Sequence, residues 1–150
     1  MATSGSASKT VTSWDTLKFS WSRTSYSVPN NTSTISWKLE LISTTYGAIY
    51  SAPSKTWTVT VNGAKHTGTA SASIGNNATK TLASGTDTIT HNNDGTKTFA
   101  FSFSHNFSIT FSDKWIGEVS GSGTGTLDAI PRYASITEAP DFNDEATNLT

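Results

Sequence analysis

The stretch of sequence that decides the fold is FAFSFSHNFSITF, residues 99–111. Large apolar residues occupy its odd positions, small polar residues stand between most of them, and His105 takes one of the in-phase places. Because side chains alternate between the two faces of a β-strand, the pattern predicts extended chain with one apolar face. The stretch is longer than an ordinary strand, so we expect either two strands or one long strand bent near His105 and Asn106.

Three other segments show the same alternation. They are LKFSW at 17–21, ISWKLEL at 35–41 and WTVTV at 57–61. Turn-forming residues follow where the alternation stops: VPNN at 28–31, Asn62-Gly63, and NNDG at 92–95. Asn62-Gly63 predicts a tight hairpin, and NNDG predicts a second hairpin that joins the segment around Ile89 to the phenylalanine stretch.

No segment shows a convincing amphipathic helix, because alanines stand among serine, glycine and asparagine, which weaken helices. Several short strands with regular turns favour two packed sheets. We therefore predict an all-β, two-sheet antiparallel β-sandwich of eight to nine strands, either Ig-like or jelly roll. We expect this domain to cover residues 1–129. Residues 130–150 are acidic and weakly patterned, which predicts a linker or the start of a following domain in a truncated chain.

Composition excludes several classes of function. Serine and threonine make up 50 of the 150 residues, charged residues only 14%, and the net charge is −1 with scattered basic residues. Nucleic-acid binding needs clustered lysine and arginine, so we expect no nucleic-acid partner. No apolar run approaches the length of a membrane span, so we expect no membrane partner. Cysteine is absent, so packing must hold the fold together.

Motifs for catalysis and metal binding are missing. The three histidines lack metal-ligand spacing, and neither a nucleophile elbow nor a phosphate loop occurs. We expect the carboxylates of the domain body, such as Glu40 and Asp94, to be solvated surface groups. The sequence therefore predicts a protein that is not an enzyme, with no cofactor, no metal ion and no catalytic residue.

The aromatic residues divide into two groups. Trp21, Trp37 and Trp57 keep phase with aliphatic neighbours, which predicts core positions. The second group lies near strand ends or in loops, among hydroxyl and amide side chains, and comprises Tyr46, Tyr50, Trp115, Trp14 and Tyr26. Exposed rings beside polar groups suit stacking on a sugar, so these five residues are the candidate sugar platform. The alternative is that each ring anchors its loop.

Four segments in a fixed order carry a family resemblance. They are NNTSTISWKLEL at 30–41, WTVTVNG at 57–63, THNNDGTKTFAFSFS at 90–104, and GSGTGTLDAIPRYASIT at 121–137 with APDFNDEATNLT after it. From about Asn30 to the end, the chain resembles the amino-terminal part of tail-associated structural proteins of siphoviruses that infect Gram-positive bacteria, chiefly streptococci. The resemblance implies a virion component at or near the phage tail tip, used in adhesion to the host cell wall. The first residues contain no apolar run that could act as a signal sequence, so we expect synthesis in the host cytoplasm.

These observations lead to three hypotheses of function. The first is a tail adhesion domain that binds host cell-surface polysaccharide through the candidate platform, with weak affinity raised by many copies. The second is a structural connector that binds other phage tail proteins, in which the phenylalanine strand or the Gly/Thr strand supports edge pairing or a homo-oligomer. The third is a hydrolase of cell-wall glycans.

Overall fold

A computed structural model describes residues 3–132 of the chain. These residues form eight β-strands and no helix, so none of them lies in a helix that could cross a membrane. The strands are β1 (Ser4–Thr12), β2 (Asp15–Ser27), β3 (Thr32–Ser43), β4 (Ser54–Val61), β5 (Ala64–Ser71), β6 (Thr79–Thr90), β7 (Lys97–Phe111) and β8 (Lys114–Leu127). The predicted all-β fold and its strand number are confirmed.

The strands form two antiparallel sheets of four strands each. Sheet I has the order β1-β2-β3-β6 and sheet II the order β5-β4-β7-β8. If β2, β3 and β6 are taken as strands A, B and E, and β4, β7 and β8 as C, F and G, the orders A-B-E and C-F-G are those of an immunoglobulin-type sandwich, although no described strand takes the place of D. Strand β5 then takes the place of C′, and β1 is added at the outer edge of sheet I. Of the two predicted topologies, the Ig-like one matches.

The phenylalanine stretch is one long strand with an irregularity. Strand β7 lies inside sheet II between β4 and β8, and its register to β8 shifts between Asn106 and Ile109, where Ser108 has a φ of 51°. The predicted bend is therefore confirmed and the two-strand alternative is wrong. Because β7 is hydrogen-bonded on both sides, the expectation that it supports edge pairing is also wrong, whereas β8 is an edge strand.

Aromatic rings of both sheets fill the core. Phe19 of β2 stacks on Phe101 and Phe103 of β7, with ring centroids 4.7 and 5.8 Å apart. Trp21 and Trp37 are buried and Trp57 is partly buried against the core, as predicted. Stacked rings that interdigitate between the sheets bury more apolar area per residue than aliphatic pairs would.

Each of six core aromatics lies opposite a glycine on the neighbouring strand. The pairs are Trp21–Gly5, Trp37–Gly85, Trp57–Gly68, Phe103–Gly121, Phe101–Gly123 and Phe99–Gly125. A Cβ added to any of these glycines would lie within 2.8 Å of the opposite ring. Glycines on the inward faces of β1 and β8 thus leave room for the large rings of the neighbouring strands β2 and β7.

Of the two predicted hairpins, one forms and one does not. Asn62 and Gly63, with φ of 50° and 84°, join β4 to β5 in a tight turn. The second prediction is wrong, because β6 and β7 belong to different sheets. His91 is buried at that connection, where its Nδ1 donates to the Gly95 carbonyl and its Nε2 lies 2.7 Å from Ser33 Oγ. These bonds to a strand of sheet I and to the NNDG turn fix a crossover instead of a hairpin.

The chain leaves β8 along one end of the sandwich. Arg23 donates to the carbonyl of Asp128 at 3.0 Å, the Ile130 N–H donates to the Gly95 carbonyl at 3.0 Å, and Arg132 donates to the Val28 carbonyl at 3.3 Å. Ile130 is 1% exposed. The predicted boundary after residue 129 falls within this packed segment, and the remainder of the predicted linker, residues 133–150, lies outside the described residues.

Candidate functional site

Because successive strands run in opposite directions, the connections between them alternate between the two ends of the sandwich. Residues 13–14, 44–53, 72–78 and 112–113 connect strands at one end, which we call the aromatic end. Residues 28–31, 62–63, 91–96 and 128–132 lie at the other, which we call the anchor end. Of the candidate platform, Trp14, Tyr46, Tyr50 and Trp115 lie at the aromatic end. Tyr26 is at the anchor end.

Trp14 and Tyr46 form the centre of the aromatic end. Their ring centroids are 5.0 Å apart with planes at 83°, an edge-to-face contact. The backbone holds the pair, because both the N–H and the Oγ1 of Thr44 donate to the Trp14 carbonyl, at 2.9 and 3.0 Å. Tyr46 is 67% exposed. One ring thus supports the other while most of the tyrosine surface faces solvent.

Tyr50 and Trp115 lie at the same end and are also exposed. Ile49 is buried and pairs with Ile74 through two backbone hydrogen bonds, which pins the loop directly beside Tyr50, whose ring is 80% exposed. Trp115 is 63% exposed beside the buried Ile116. Buried neighbours therefore anchor both segments.

A shallow cleft separates the two sheets at this end. Its volume is about 160 Å³, and its walls come from residues 11–14 of sheet I and from the end of β7 and the start of β8. Trp14 forms part of one wall and Lys114, next to Trp115, part of the other. Of the four candidate rings, Trp14 lines this small depression, together with hydroxyl groups and Lys114.

Tyr26 has different surroundings. It is 52% exposed, and the guanidinium of Arg23 lies 4.7 Å from its ring centroid, a cation–π contact. Because Arg23 also holds the Asp128 carbonyl, Tyr26 belongs to the anchor end and is separated from the other four candidates.

Comparison with known proteins gives one match. The family described as "Siphovirus protein of unknown function (DUF859)" matches residues 16–144. The chain belongs to this family. The matched region covers β2 from Thr16 onwards and all of β3 to β8, whereas β1, Trp14 and Asp15 precede it. No curated protein and no solved structure matches the chain.

The siphovirus domain has no group of three or more potential metal-ligating side chains within residues 3–132. His66 Nε2 lies 2.9 Å from both carboxylate oxygens of Asp87, which also accepts from Trp37 Nε1 at 2.9 Å. This cluster joins the edge strands β5 and β6 of the two sheets. Its hydrogen bonds therefore connect the two sheets.

His105 is fully buried between β4 and β8, and neither ring nitrogen has a hydrogen-bond partner. Desolvation lowers the pKa of His105 to about 4, with a smaller contribution from the charge of Lys80. A neutral imidazole packed edge-to-face on Phe107 behaves as a core residue, which explains its place in the phenylalanine pattern.

Asp15 was missed by sequence reasoning. The expectation that the carboxylates are solvated is wrong for this residue, which is 2% exposed and opposite Ser43 at the start of β2. Burial raises the pKa of the Asp15 carboxyl, and a hydrogen bond from Thr12 partly opposes the effect. The available signal was its position two residues before Leu17, in phase with the apolar face.

Proposed function

We propose that this siphovirus domain is a tail component that binds polysaccharide on the surface of a Gram-positive host, through the rings of the aromatic end. The observation that carries the proposal is the placement of four exposed aromatics at one end of the sandwich, two of them in contact. Tyrosine and tryptophan provide large, rigid, amphipathic contact area at a low cost in side-chain entropy. Single exposed apolar residues are common on protein surfaces, whereas several large rings at one end of a domain are typical of a contact surface.

Three features support a binding role for this end. It corresponds to the end at which immunoglobulin variable domains carry their binding loops, since β3–β4 matches the B–C loop and β7–β8 the F–G turn. Backbone hydrogen bonds fix the loops, so less entropy is lost when a ligand binds. Arg132, the last described residue, lies at the anchor end, on the side opposite to the rings.

The shape of the surface indicates weak contact by a single copy. The cleft is small and open, whereas sites for tightly held small molecules enclose most of the ligand. A shallow site suits a repeating polymer, because many copies on a particle raise the overall affinity without new contacts. The rings bind in this proposal and catalyse no reaction.

The test compares variants at the two ends. Tyr46→Ala, Tyr50→Ala and Trp115→Ala together are expected to weaken binding of purified wall polysaccharide by about tenfold or more. Tyr26→Ala is the matched control, because it removes an exposed ring of the anchor end and is expected to leave binding unchanged. Unchanged binding by a correctly folded triple variant would contradict the assignment.

A connector role is the second candidate, and the packing of residues 128–132 favours it. Three hydrogen bonds and the burial of Ile130 fix the outgoing chain to the anchor end, as a module that transmits orientation requires. A connector binds other tail proteins tightly and no sugar. Co-purification with a tail protein that survives the triple aromatic variant but is lost on Ile130→Asp would support this candidate.

A further inference from the structure

The inference concerns Asp15 and rests on the proposed function of the aromatic end. Asp15 is 2% exposed and immediately follows Trp14. Its Oδ2 accepts a hydrogen bond from Thr12 Oγ1 at 2.7 Å, whereas its buried Oδ1 has no hydrogen-bond partner. A buried acceptor without a partner is uncommon in folded proteins and calls for an explanation.

The loop that carries Tyr46 closes directly on this unpartnered oxygen. A Cβ added to Gly47 would lie 2.7 Å from Asp15 Oδ1, 2.7 Å from the Trp14 carbonyl oxygen and 2.9 Å from Ser43 Cβ. Only glycine fits this contact. The Gly47 N–H donates to the Thr44 carbonyl at 3.0 Å, and Thr44 in turn holds the Trp14 carbonyl. The carboxyl, the loop turn and the two rings are therefore one connected unit.

The groups that contact the carboxyl directly are uncharged, and the nearest charged group along the adjoining cleft is Lys114, on the wall opposite Thr12 and Trp14. The β1 end presents Thr12, the β1–β2 turn Trp14, the β3 end Ser43 and the loop Gly47. Burial raises the pKa of Asp15 above 3.8, and the Thr12 hydroxyl, which lowers it, is the smaller influence. An ionised Asp15 forms no ion pair with a described residue and its Oδ1 accepts no hydrogen bond, so exposure to water favours the ionised form.

We propose that Asp15 is a positioning residue: its protonated form lets the Gly47 loop close and hold Tyr46 against Trp14, and its ionisation loosens the loop and the ring pair. The direction with pH follows from linkage. Protonation of Asp15 favours the closed loop fully below pH 3.8, which is the pKa of a solvated carboxyl. This preference is lost as the pH rises through the higher pKa that Asp15 has in the closed state. The polysaccharide surface is then best formed under acidic conditions.

Two ligand-free NMR measurements on the intact chain test the proposal. Titration of the Asp15 carboxyl carbon gives its pKa, and hydrogen exchange of the Gly47 amide gives the opening equilibrium of the loop. Opening is expected to increase as the pH rises through that pKa, by about tenfold for each unit by which the pKa exceeds the solvated value. Asp15→Asn is expected to remove this dependence, and Asp113→Asn, at an exposed turn of the same end, to retain it.

The proposal is overturned if Gly47 exchange, corrected for its intrinsic rate, is independent of pH in the wild type, or if Asp15→Asn keeps the wild-type dependence. Gly47→Ala provides a second route if Asp15→Asn fails to fold. Its Cβ prevents closure, so the pKa of Asp15 is expected to fall towards 3.8. An unchanged pKa in this variant would also overturn the proposal.

Binding of purified wall polysaccharide separates this proposal from the proposed function. Wild-type binding is expected to weaken as the pH rises through the Asp15 pKa, and Asp15→Asn is expected to flatten that profile. No binding at any pH contradicts the proposed function, while the exchange measurements still decide the role of Asp15. If polysaccharide binding is independent of pH although Gly47 exchange depends on pH, the proposed coupling between Asp15 ionisation and binding is overturned.

Discussion

The substitution His105→Leu removes a titrating imidazole that the fold buries without any hydrogen-bond partner. The position is in phase with Phe103 and Phe107 on the inward face of β7, so an aliphatic side chain suits its surroundings. The free energy of unfolding of the wild type is expected to fall as the pH is lowered, and that of the variant to fall less. The difference between the two proteins isolates the contribution of this residue.

The magnitude follows from the pKa of His105, which is about 4 in the folded protein against 6.5 for the solvated group. Because the unfolded chain takes up the proton first, the effect is small above pH 6.5 and grows as the pH falls towards 4. The full gap corresponds to about 3.4 kcal/mol, of which about 2 kcal/mol is already lost at about pH 5.

Urea unfolding at about pH 7 and about pH 5, followed by tryptophan fluorescence, measures this difference. His105→Asn is the matched control, since it keeps a polar side chain but does not titrate. Both variants are expected to lose about 2 kcal/mol less than the wild type between the two pH values. Equal losses in all three proteins would refute the reasoning that desolvation keeps His105 neutral.

Three further predictions concern packing and turns, each measured as the change in the free energy of unfolding. Gly123→Val is expected to cost about 2–3 kcal/mol or more, because the valine side chain would overlap the Phe101 ring. The outward-facing control Thr124→Val is expected to cost little, and equal effects of the two substitutions would contradict the packing of rings over glycines. Gly63→Ala is expected to cost about 1–2 kcal/mol from backbone strain alone, because φ is 84° and the space around it is open; no cost would argue against the primed turn. Trp37→Phe is expected to cost about 2–3 kcal/mol through the lost hydrogen bond from Trp37 Nε1 to Asp87. If the same substitution costs less in an Asp87→Asn background, the bond to the Asp87 carboxylate is identified as the cause.

The sequence predicts those parts of the fold in which large residues alternate. Strands β2, β3, β4 and β7 carry their own inward-facing rings or aliphatic chains, so the period of two is visible in each. Strand β1 escapes this reasoning because its inward residues are small. Gly5 faces the core because the Trp21 ring of the next strand packs over it. This pairing depends on the register between β1 and β2, which the sequence of β1 alone does not show.

Connections between sheets are harder to predict than hairpins. Asn62-Gly63 determines its turn locally, because both residues accept a positive φ. The NNDG sequence contains similar turn residues, yet the path after it depends on His91, whose partner Ser33 lies 58 residues away. Long-range bonds of this kind leave no local pattern.

For the candidate site, sequence reasoning found the exposed rings but not their arrangement. Loop positions and polar neighbours identified all five aromatics, and all five are exposed. Their division into four at the aromatic end and Tyr26 at the anchor end follows from the strand order. The in-phase position of Asp15 two residues before Leu17 indicates its burial, but its contact with Gly47 is long-range and no spacing in the sequence indicates it.

The most direct test of the proposed function is binding of the fluorescently labelled, multimerised domain to intact Gram-positive cells, with soluble wall polysaccharide as competitor. We expect saturable binding that the polysaccharide displaces, that the triple substitution of Tyr46, Tyr50 and Trp115 abolishes, and that Tyr26→Ala leaves intact. Absence of binding by the multimer to any candidate host, or binding that survives the triple substitution, would contradict a polysaccharide-binding aromatic end.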